Sequence, residues 1–157
     1  MNPILTLIII TFLPLLELRA SIPYGIFQTD MHWFVIFAVC VATNMVLGVM
    51  VYFFLDKIIH LFLHIKIIDK YYQRYVERTQ RKIHKYVEKY GELAVAVFIA
   101  IPLPGSGSYS GALAAYIIGL GYRKFIIANI IGVLIAGILV TIIALSGFKA
   151  LFWVLNF

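Results

Sequence analysis

The sequence predicts an all-α integral membrane protein built as an inverted repeat, in which each half is a re-entrant helical hairpin followed by a transmembrane helix. A basic amphipathic cytoplasmic helix is predicted between the halves. Three observations support this fold class: the composition, the uncharged runs, and a break rich in Pro and Gly in each half. Of 157 residues, 63% are hydrophobic and 13% charged, whereas soluble domains are about 45–50% apolar and about 25% charged. This excess of apolar residues indicates a surface that faces lipid.

The uncharged runs limit the number of membrane spans. Residues 34–55 and 125–148 contain no charged side chain, and each run fits one span, because a helix needs roughly 20 residues to cross the hydrocarbon core. The run 93–122 is too long for one straight span and too short for two. The first 13 residues are apolar but lack a positively charged start, so a retained segment is predicted rather than a removable signal peptide.

The two halves of the chain follow the same order of segments. In the first half, the apolar stretch 3–13 is followed by a break at 14–25, a short segment to residue 29 and the span 34–55. In the second half, the apolar stretch 93–101 is followed by a break at 102–111, a short apolar segment 112–120, a polar turn 121–124 and the span 125–147. The chain is therefore predicted to be a single membrane domain, 1–157, with repeats at 1–56 and 91–157.

The length of the half-segments predicts that they do not cross the membrane. Ten helical residues are about 15 Å long, half of the roughly 30 Å hydrocarbon core. Two such pieces joined at a Pro/Gly break form a hairpin that enters and leaves on one side, with both termini of the chain outside. The alternative is that the first segment is a bent full span, which places the N-terminus inside.

The net charge of +6 is concentrated between the two repeats. Nine basic residues against Asp69, Glu77 and Glu88 give this stretch a charge of +6; the nine are Lys57, Lys66, Lys70, Arg74, Arg78, Arg81, Lys82, Lys85 and Lys89. By the positive-inside rule, segment 57–90 is cytoplasmic in a multi-pass cell-membrane protein. Its helical periodicity predicts a basic helix on the inner membrane surface; packing of its Tyr stripe on another subunit is the alternative. The predicted partners are membrane lipids rather than nucleic acid.

The first break contains the ionisable side chains Glu17 and Arg19, followed by Pro23 and Tyr24. Ionised groups at membrane depth are costly and are usually paired and functional. We therefore predict an anion site at Arg19, with Glu17 as proton carrier or counter-ion. The alternative is a structural ion pair that locks the hairpin tip.

The second break contains Pro102, Pro104, Gly105, Ser106, Gly107, Ser108, Tyr109 and Ser110. Its backbone N–H groups and hydroxyls, at the start of a helix, suit a phosphate or carboxylate. The alternative is a tight turn that satisfies its own backbone. Asn44 and Asn129, in the two spans, are predicted to make interhelical hydrogen bonds.

Metal and catalytic sites are not predicted. His60 and His64 stand four residues apart without a third ligand nearby in sequence, and Cys40 is predicted to be a buried apolar residue. No nucleophile–base pair, metal site or cofactor motif is recognised, so an enzyme is not predicted. Because two full spans make a thin protomer, a homodimer is predicted.

Both breaks resemble the signature regions of a known family. Residues 17–25 read ELRASIPYG and residues 101–115 read IPLPGSGSYSGALAA. These motifs resemble those of the small multidrug export protein family, which is similar to the wider DedA/VTT superfamily. The resemblance implies two inward-pointing re-entrant hairpins and membrane transport of phosphate-bearing carrier lipids, of phospholipids or of drugs. The second break lacks the arginines of DedA proteins, so Arg19 is the one arginine at the tips.

Together these features predict a DedA-like transporter of an amphipathic, anionic substrate, such as a phosphate-bearing lipid carrier. Proton coupling is predicted through Glu17, and anion binding through Arg19 and the Ser/Gly break. Two alternatives remain. The first is a small multidrug or cation exporter that binds lipophilic cations at Glu17, flanked by Tyr24 and Tyr109. The second is a non-transporting membrane assembly factor that acts through the basic helix.

Overall fold

The computed structural model describes residues 2–14, 16–62, 87, 89–103 and 105–155, and these residues form helices and connections without any strand. The helices are α1 (Pro3–Phe12), α2 (Glu17–Gln28), α3 (Trp33–Phe62), α4 (89–100), α5 (Ser108–Ile117) and α6 (Tyr122–Leu155). The start of α1 follows from its sequence. Pro3 occupies the first helical turn, where its missing N–H costs nothing, and the Asn2 side chain accepts a hydrogen bond from the Ile4 N–H at 3.1 Å.

Helices α1 and α2 form an antiparallel pair. The Thr11 hydroxyl donates to the Ser21 hydroxyl at 2.7 Å, while Leu7 lies against Gly25. Leu7 lies farther from the connection at 13–16 than Thr11 does, and its partner Gly25 lies farther from it than Ser21 does. This is the order of contacts in an antiparallel hairpin. A Cβ at Gly25 would lie 2.6 Å from the Ile36 side chain, so the absence of a side chain lets α2 approach α3.

Helices α4 and α5 form a second antiparallel pair, with Ile99 against Gly111 and Gly91 against Leu120. The end of α5 is a Schellman motif. Gly119 has φ +74, a left-handed conformation that glycine adopts without steric cost. The Gly119 N–H donates to Tyr116 O at 3.1 Å, and the Leu120 N–H donates to Ala115 O at 2.9 Å. These bonds satisfy the last carbonyls of α5 and turn the chain into α6.

Helices α3 and α6 lie antiparallel between the two pairs, with Gly48 against Asn129 and Val41 against Gly137. α3 packs on α1, α2, α5 and α6, and α6 packs also on α2 and α5. The buried cluster between the helices is apolar, with Leu7, Ile22, Ile36, Cys40, Ile99, Phe125 and Val133 at its centre. This arrangement brings the connections 13–16 and 101–107 together.

The outer faces of α3 and α6 are apolar. Phe34, Phe54 and Ile143 expose 58%, 54% and 61% of their surface, whereas contiguous apolar patches of this kind are rare on soluble monomers. Two segments, Trp33–Ile58 and Tyr122–Gly147, are long and apolar enough to cross a membrane by length and composition. Exposed apolar faces on helices of this length indicate a membrane protein.

The structure shifts several predicted boundaries. The first break is shorter than predicted, because α2 begins at Glu17 and continues through Pro23. A proline removes only one helical hydrogen bond, and packing on α1, α3 and α6 holds the helix together around it. The predicted polar turn 121–124 is likewise shorter, since Arg123 and Lys124 belong to the first turn of α6.

The two long helices also extend beyond their uncharged cores. α3 reaches Phe62 and α6 reaches Leu155, because a charged side chain does not end a helix when its stem can lie along apolar surface. Lys57, for example, places its ammonium 4.8 Å from the centre of the Phe53 ring. The predicted basic helix 57–90 thus begins as the end of α3, and its residues 63–86 and 88 lie outside the described residues.

Candidate functional site at the meeting of the two breaks

Glu17 is the first residue of α2 and has an unusual backbone. Its φ is +46, the one positive φ of a non-glycine residue in the described ranges. This left-handed conformation costs of order 1 kcal/mol for a residue with a Cβ. The side chain is only 3% exposed. A strained backbone and a buried carboxylate require compensation from the surroundings, and the other half of the chain supplies it.

The Glu17 carboxylate lies at the N-terminus of α5. Oε2 accepts from the Ser108 N–H at 3.0 Å and Oε1 accepts from the Tyr109 N–H at 3.2 Å. These N–H groups have no partner within their own helix, and the positive end of the helix dipole favours an anion there. Gly107 makes room for it, because a Cβ at that position would lie 1.8 Å from Oε2.

Arg19 places a positive charge at the C-terminus of α4. Its Nη2 donates to Ile101 O at 2.8 Å and to Ile99 O at 3.3 Å. Carbonyls at a helix C-terminus lack partners within the helix and favour a cation. Nη2 also lies 3.2 Å from the Ser106 hydroxyl, and Nη1 lies 3.4 Å from Glu17 Oε2. One acidic and one basic side chain from the start of α2 therefore cap the two helix ends that flank the second break.

Tyr109 makes the reciprocal contact. Its hydroxyl donates to Phe12 O at 2.7 Å, and Phe12 is the last residue of α1. The first turn of the helix after each break thus supplies side chains that satisfy backbone groups beside the other break. Non-helical backbone at membrane depth is tolerated where protein satisfies its polar groups, so this reciprocal capping explains how both breaks can lie within an apolar bundle.

Several polar atoms around this centre are unsatisfied. The Asn44 amide lies 3.4 Å from Glu17 Oε2. Within the described residues, Asn44 Oδ1, Ser108 Oγ and Arg19 Nε are buried without a hydrogen-bond partner. Leaving a buried polar atom unpaired costs about 1–3 kcal/mol. These atoms therefore favour a polar group or water that enters beside Glu17.

The sequence profile of one protein family, described as putative small multi-drug export protein, matches residues 17–139. The chain belongs to this family. The matched segment begins at Glu17, where α2 begins, and includes the second break; it covers more than three quarters of the chain. Searches among curated proteins and among solved structures found no match. The description of this export family, together with the two apolar helices, indicates a membrane-associated transporter rather than an enzyme.

Within this member of the export family, the structure brings together six residues that the sequence singles out. They are Glu17, Arg19, Ser106, Gly107, Ser108 and Tyr109. Ser110 is directed to its own connection, because its hydroxyl donates to Gly105 O and lies 3.2 Å from Gly107 O. Pro102 and Gly105 lie in the same connection, and Pro104 lies outside the described residues.

Pro23 and Tyr24 lie away from this centre. They belong to the interior of α2, six and seven residues after Glu17, and six helical residues extend about 9 Å. Tyr24 is 40% exposed, so it does not line a buried site in this conformation. Both residues entered the predicted site because the first break was expected to extend to Gly25, whereas the chain resumes helical conformation eight residues earlier.

Some contacts at the site could not be read from the sequence. The carbonyls of Ile99 and Ile101 are backbone groups and carry no residue-specific signal. Asn44 was expected to make an interhelical hydrogen bond, but the chain order does not reveal Glu17 as its partner. Asn129 makes the predicted kind of contact, since its amide donates to Met45 O at 3.1 Å across α3 and α6.

Proposed function

We propose that this chain is a transporter of a small amphipathic molecule whose anionic group competes with the Glu17 carboxylate for the N-terminus of α5 and for Arg19. One observation carries the proposal: a buried carboxylate accepts hydrogen bonds from Ser108 N and Tyr109 N at 3.0 and 3.2 Å. A helix N-terminus beside an arginine is a ready-made site for a ligand anion. In the conformation described, Glu17 occupies that position.

The proposed architecture is DedA-like. Each antiparallel pair, α1–α2 and α4–α5, consists of helices of about 10–12 residues, long enough for about half of the hydrocarbon core. We propose that both pairs are re-entrant, that they enter from opposite sides and that segment 57–90 is cytoplasmic. In transporters with inverted repeats, broken helices meet near the midplane and form the substrate site. The contact between the two breaks is in keeping with that plan.

Proton coupling follows from the same contacts. Glu17 can leave the α5 N-terminus cheaply only if it carries a proton, because an unpaired buried carboxylate is very costly. Protonation neutralises the Glu17 carboxylate, to which Arg19 and the α5 N–H groups bind. The anionic group of the substrate then takes the place of that carboxylate. The Ser108 hydroxyl, buried without a partner in the described ranges, can donate to an additional oxygen of a phosphate group, and the Asn44 amide N–H, which lies 3.4 Å from Glu17 Oε2, can donate to the anion that replaces the carboxylate.

The experiment is transport by the purified chain in liposomes, with Glu17→Gln and Arg19→Ala as variants and Gly147→Ala as the matched control. No heavy atom of the described residues lies within 4 Å of a Cβ built at Gly147. Flipping of a fluorescent phosphate-bearing lipid and uptake of a lipophilic cation are measured side by side, with and without a pH gradient. We expect lipid flipping in the wild type and in the control, with at least tenfold loss in both site variants.

The alternatives predict different results. An exporter of lipophilic cations, which is compatible with the family description, would transport the cation and lose that activity in Glu17→Gln while lipids stay immobile. An assembly factor would transport neither probe, and deletion of residues 66–88 would abolish its cellular function without affecting ligand binding. Lipid flipping that is unchanged in both Glu17→Gln and Arg19→Ala would overturn the assignment of the site.

A further inference from the structure

Asn44 is the residue of α3 whose side chain meets Glu17. It is 1% exposed, and its Nδ2 lies 3.4 Å from Glu17 Oε2. This contact is long, because N–H···O hydrogen bonds usually measure about 2.7–3.2 Å between the heavy atoms. Within the described residues, Oδ1 of the same amide is buried without a hydrogen-bond partner. The amide of Asn44 therefore contributes little to the ionised state of Glu17.

The unpaired oxygen of Asn44 suits the protonated state of Glu17. A carboxylate only accepts hydrogen bonds, whereas a carboxylic acid also has one O–H donor, and an O–H that is buried without an acceptor is costly. The N–H groups of Ser108 and Tyr109 and the guanidinium of Arg19 contact Glu17, and none of them can accept from that O–H. Ser108 Oγ is also unpartnered among the described residues, but it belongs to the α5 N-terminus, which Glu17 has to leave for a substrate anion.

We infer that Asn44 is a positioning residue that accepts a hydrogen bond from protonated Glu17 on the α3 side of the site. The ionised carboxylate lies at the α5 N-terminus, where the backbone N–H groups stabilise its charge. The carboxylic acid moves to Asn44 Oδ1, while the amide N–H stays directed to the position that Oε2 has left, where the substrate anion binds. This inference rests on the proposed role of Glu17 as proton carrier, and it names the group that receives the protonated side chain.

The other titratable groups in the described part of the chain leave this role to Asn44. Arg19 Nη1 lies 3.4 Å from Glu17 Oε2 and favours the carboxylate, and the Tyr109 hydroxyl is directed to the end of α1. α1 itself contains no titratable side chain, and the Cys40 thiol of α3 is directed to hydroxyl groups of α1 and α2. The charged residues of α3, α4 and α6 lie toward the ends of these helices and are Asp56, Lys57, Lys89, Glu92, Arg123, Lys124 and Lys149.

The test is pH-induced infrared difference spectroscopy of the full chain in phosphatidylcholine liposomes. The C=O band of protonated Glu17 is assigned by its loss in Glu17→Gln. At the pH where Glu17 of the wild type is half protonated, we expect Asn44→Leu to lower the ratio of protonated to ionised Glu17 about threefold to tenfold. Leucine matches asparagine in size but has no polar side-chain atom. Asn44→Val, which is smaller, should lower the ratio in the same way and replaces Asn44→Leu if that variant does not fold.

Asn129→Leu is the matched control. Asn129 is also buried in a span, and its Oδ1 is likewise unpartnered among the described residues. Its amide donates to Met45 O rather than to Glu17. Asn129→Leu should therefore change the ratio of protonated to ionised Glu17 less than about twofold, even if the variant unfolds more easily.

The direction of the change separates the two roles of the Asn44 amide. If Asn44 only donated to the carboxylate, Asn44→Leu would favour protonated Glu17, so a raised ratio would overturn the inference. An unchanged ratio together with lower stability would also overturn it, because Asn44 would then be a structural contact alone. A Glu17 band that is absent at every pH would overturn both the inference and proton coupling. A lowered ratio would support the inference even if the liposome assay detects no transport, and the proposed function alone would then fail.

Discussion

Gly107→Ala tests the contact between the two breaks without replacing a charged residue. Gly107 has φ −85 and ψ −160, a backbone conformation that alanine adopts freely, so the effect of the substitution is steric. The added Cβ would lie 1.8 Å from Glu17 Oε2, and the three nearest heavy atoms all belong to the Glu17 carboxylate. Gly107→Ala therefore has to displace that carboxylate from the α5 N-terminus.

The size of the effect follows from the contacts that are lost. Glu17 accepts two backbone hydrogen bonds at 3.0 and 3.2 Å, and each bond to a charged group contributes about 1.5–3 kcal/mol. Part of this is regained when the carboxylate moves, so we expect Gly107→Ala to lower the free energy of unfolding by about 2–4 kcal/mol. In the Glu17→Ala background the carboxylate is gone, and the same substitution should cost less than about 1 kcal/mol.

The assay is reversible unfolding in mixed micelles of a mild detergent and sodium dodecyl sulfate, followed by circular dichroism. The wild type, Gly107→Ala, Glu17→Ala and the double variant form a double-mutant cycle, and the expected coupling between the two positions is about 2–3 kcal/mol. Gly147→Ala, whose Cβ meets no described atom within 4 Å, should stay within about 0.5 kcal/mol of the wild type. Additive losses for Gly107→Ala and Glu17→Ala would refute the reasoning.

The remaining predictions use the same unfolding assay. Tyr109→Phe removes the hydroxyl that donates to Phe12 O at 2.7 Å and should lower the free energy of unfolding by about 1 kcal/mol; a variant as stable as the wild type would mean that this bond does not contribute. Gly132→Ala places a Cβ 2.7 Å from Ala96 O, and a backbone atom cannot rotate away, so we expect a loss of about 2–3 kcal/mol. Gly137→Ala meets only side chains and should cost about half as much; equal losses would contradict the distinction between backbone and side-chain neighbours.

The capping contacts relate the fold to the proposed transport. Glu17 and Arg19 stabilise the start of α5 and the end of α4, while Tyr109 stabilises the end of α1. Separation of the two hairpins would expose all of these backbone groups at once. A transporter that alternates between two states therefore needs a ligand or a proton to compensate for the lost contacts, which is why we place substrate exchange at Glu17.

Much of the overall plan could be predicted from the sequence. Composition and uncharged runs indicate a membrane protein because the preferences of neighbouring residues for lipid add up over a segment of the chain. The two breaks were located because Pro and Gly act on the backbone where they stand. Glu17 and Arg19 were identified as site candidates because an ionisable group within an apolar segment is costly, whatever the tertiary fold around it. Each of these inferences needs only neighbouring residues.

The tertiary structure decided which groups meet. Glu17 contacts Ser108 and Tyr109, which follow it by 91 and 92 residues, and no local pattern encodes such a pairing. The sequence offered the α5 N-terminus as a site for an external anion, whereas in the fold a carboxylate of the same chain lies there. The positive φ of Glu17 was equally hidden, because a glutamate adopts it only when contacts from elsewhere in the fold compensate for the strain. The sequence thus determined which side chains lie at the two breaks, and the packing of the two hairpins determined which of these side chains contact one another.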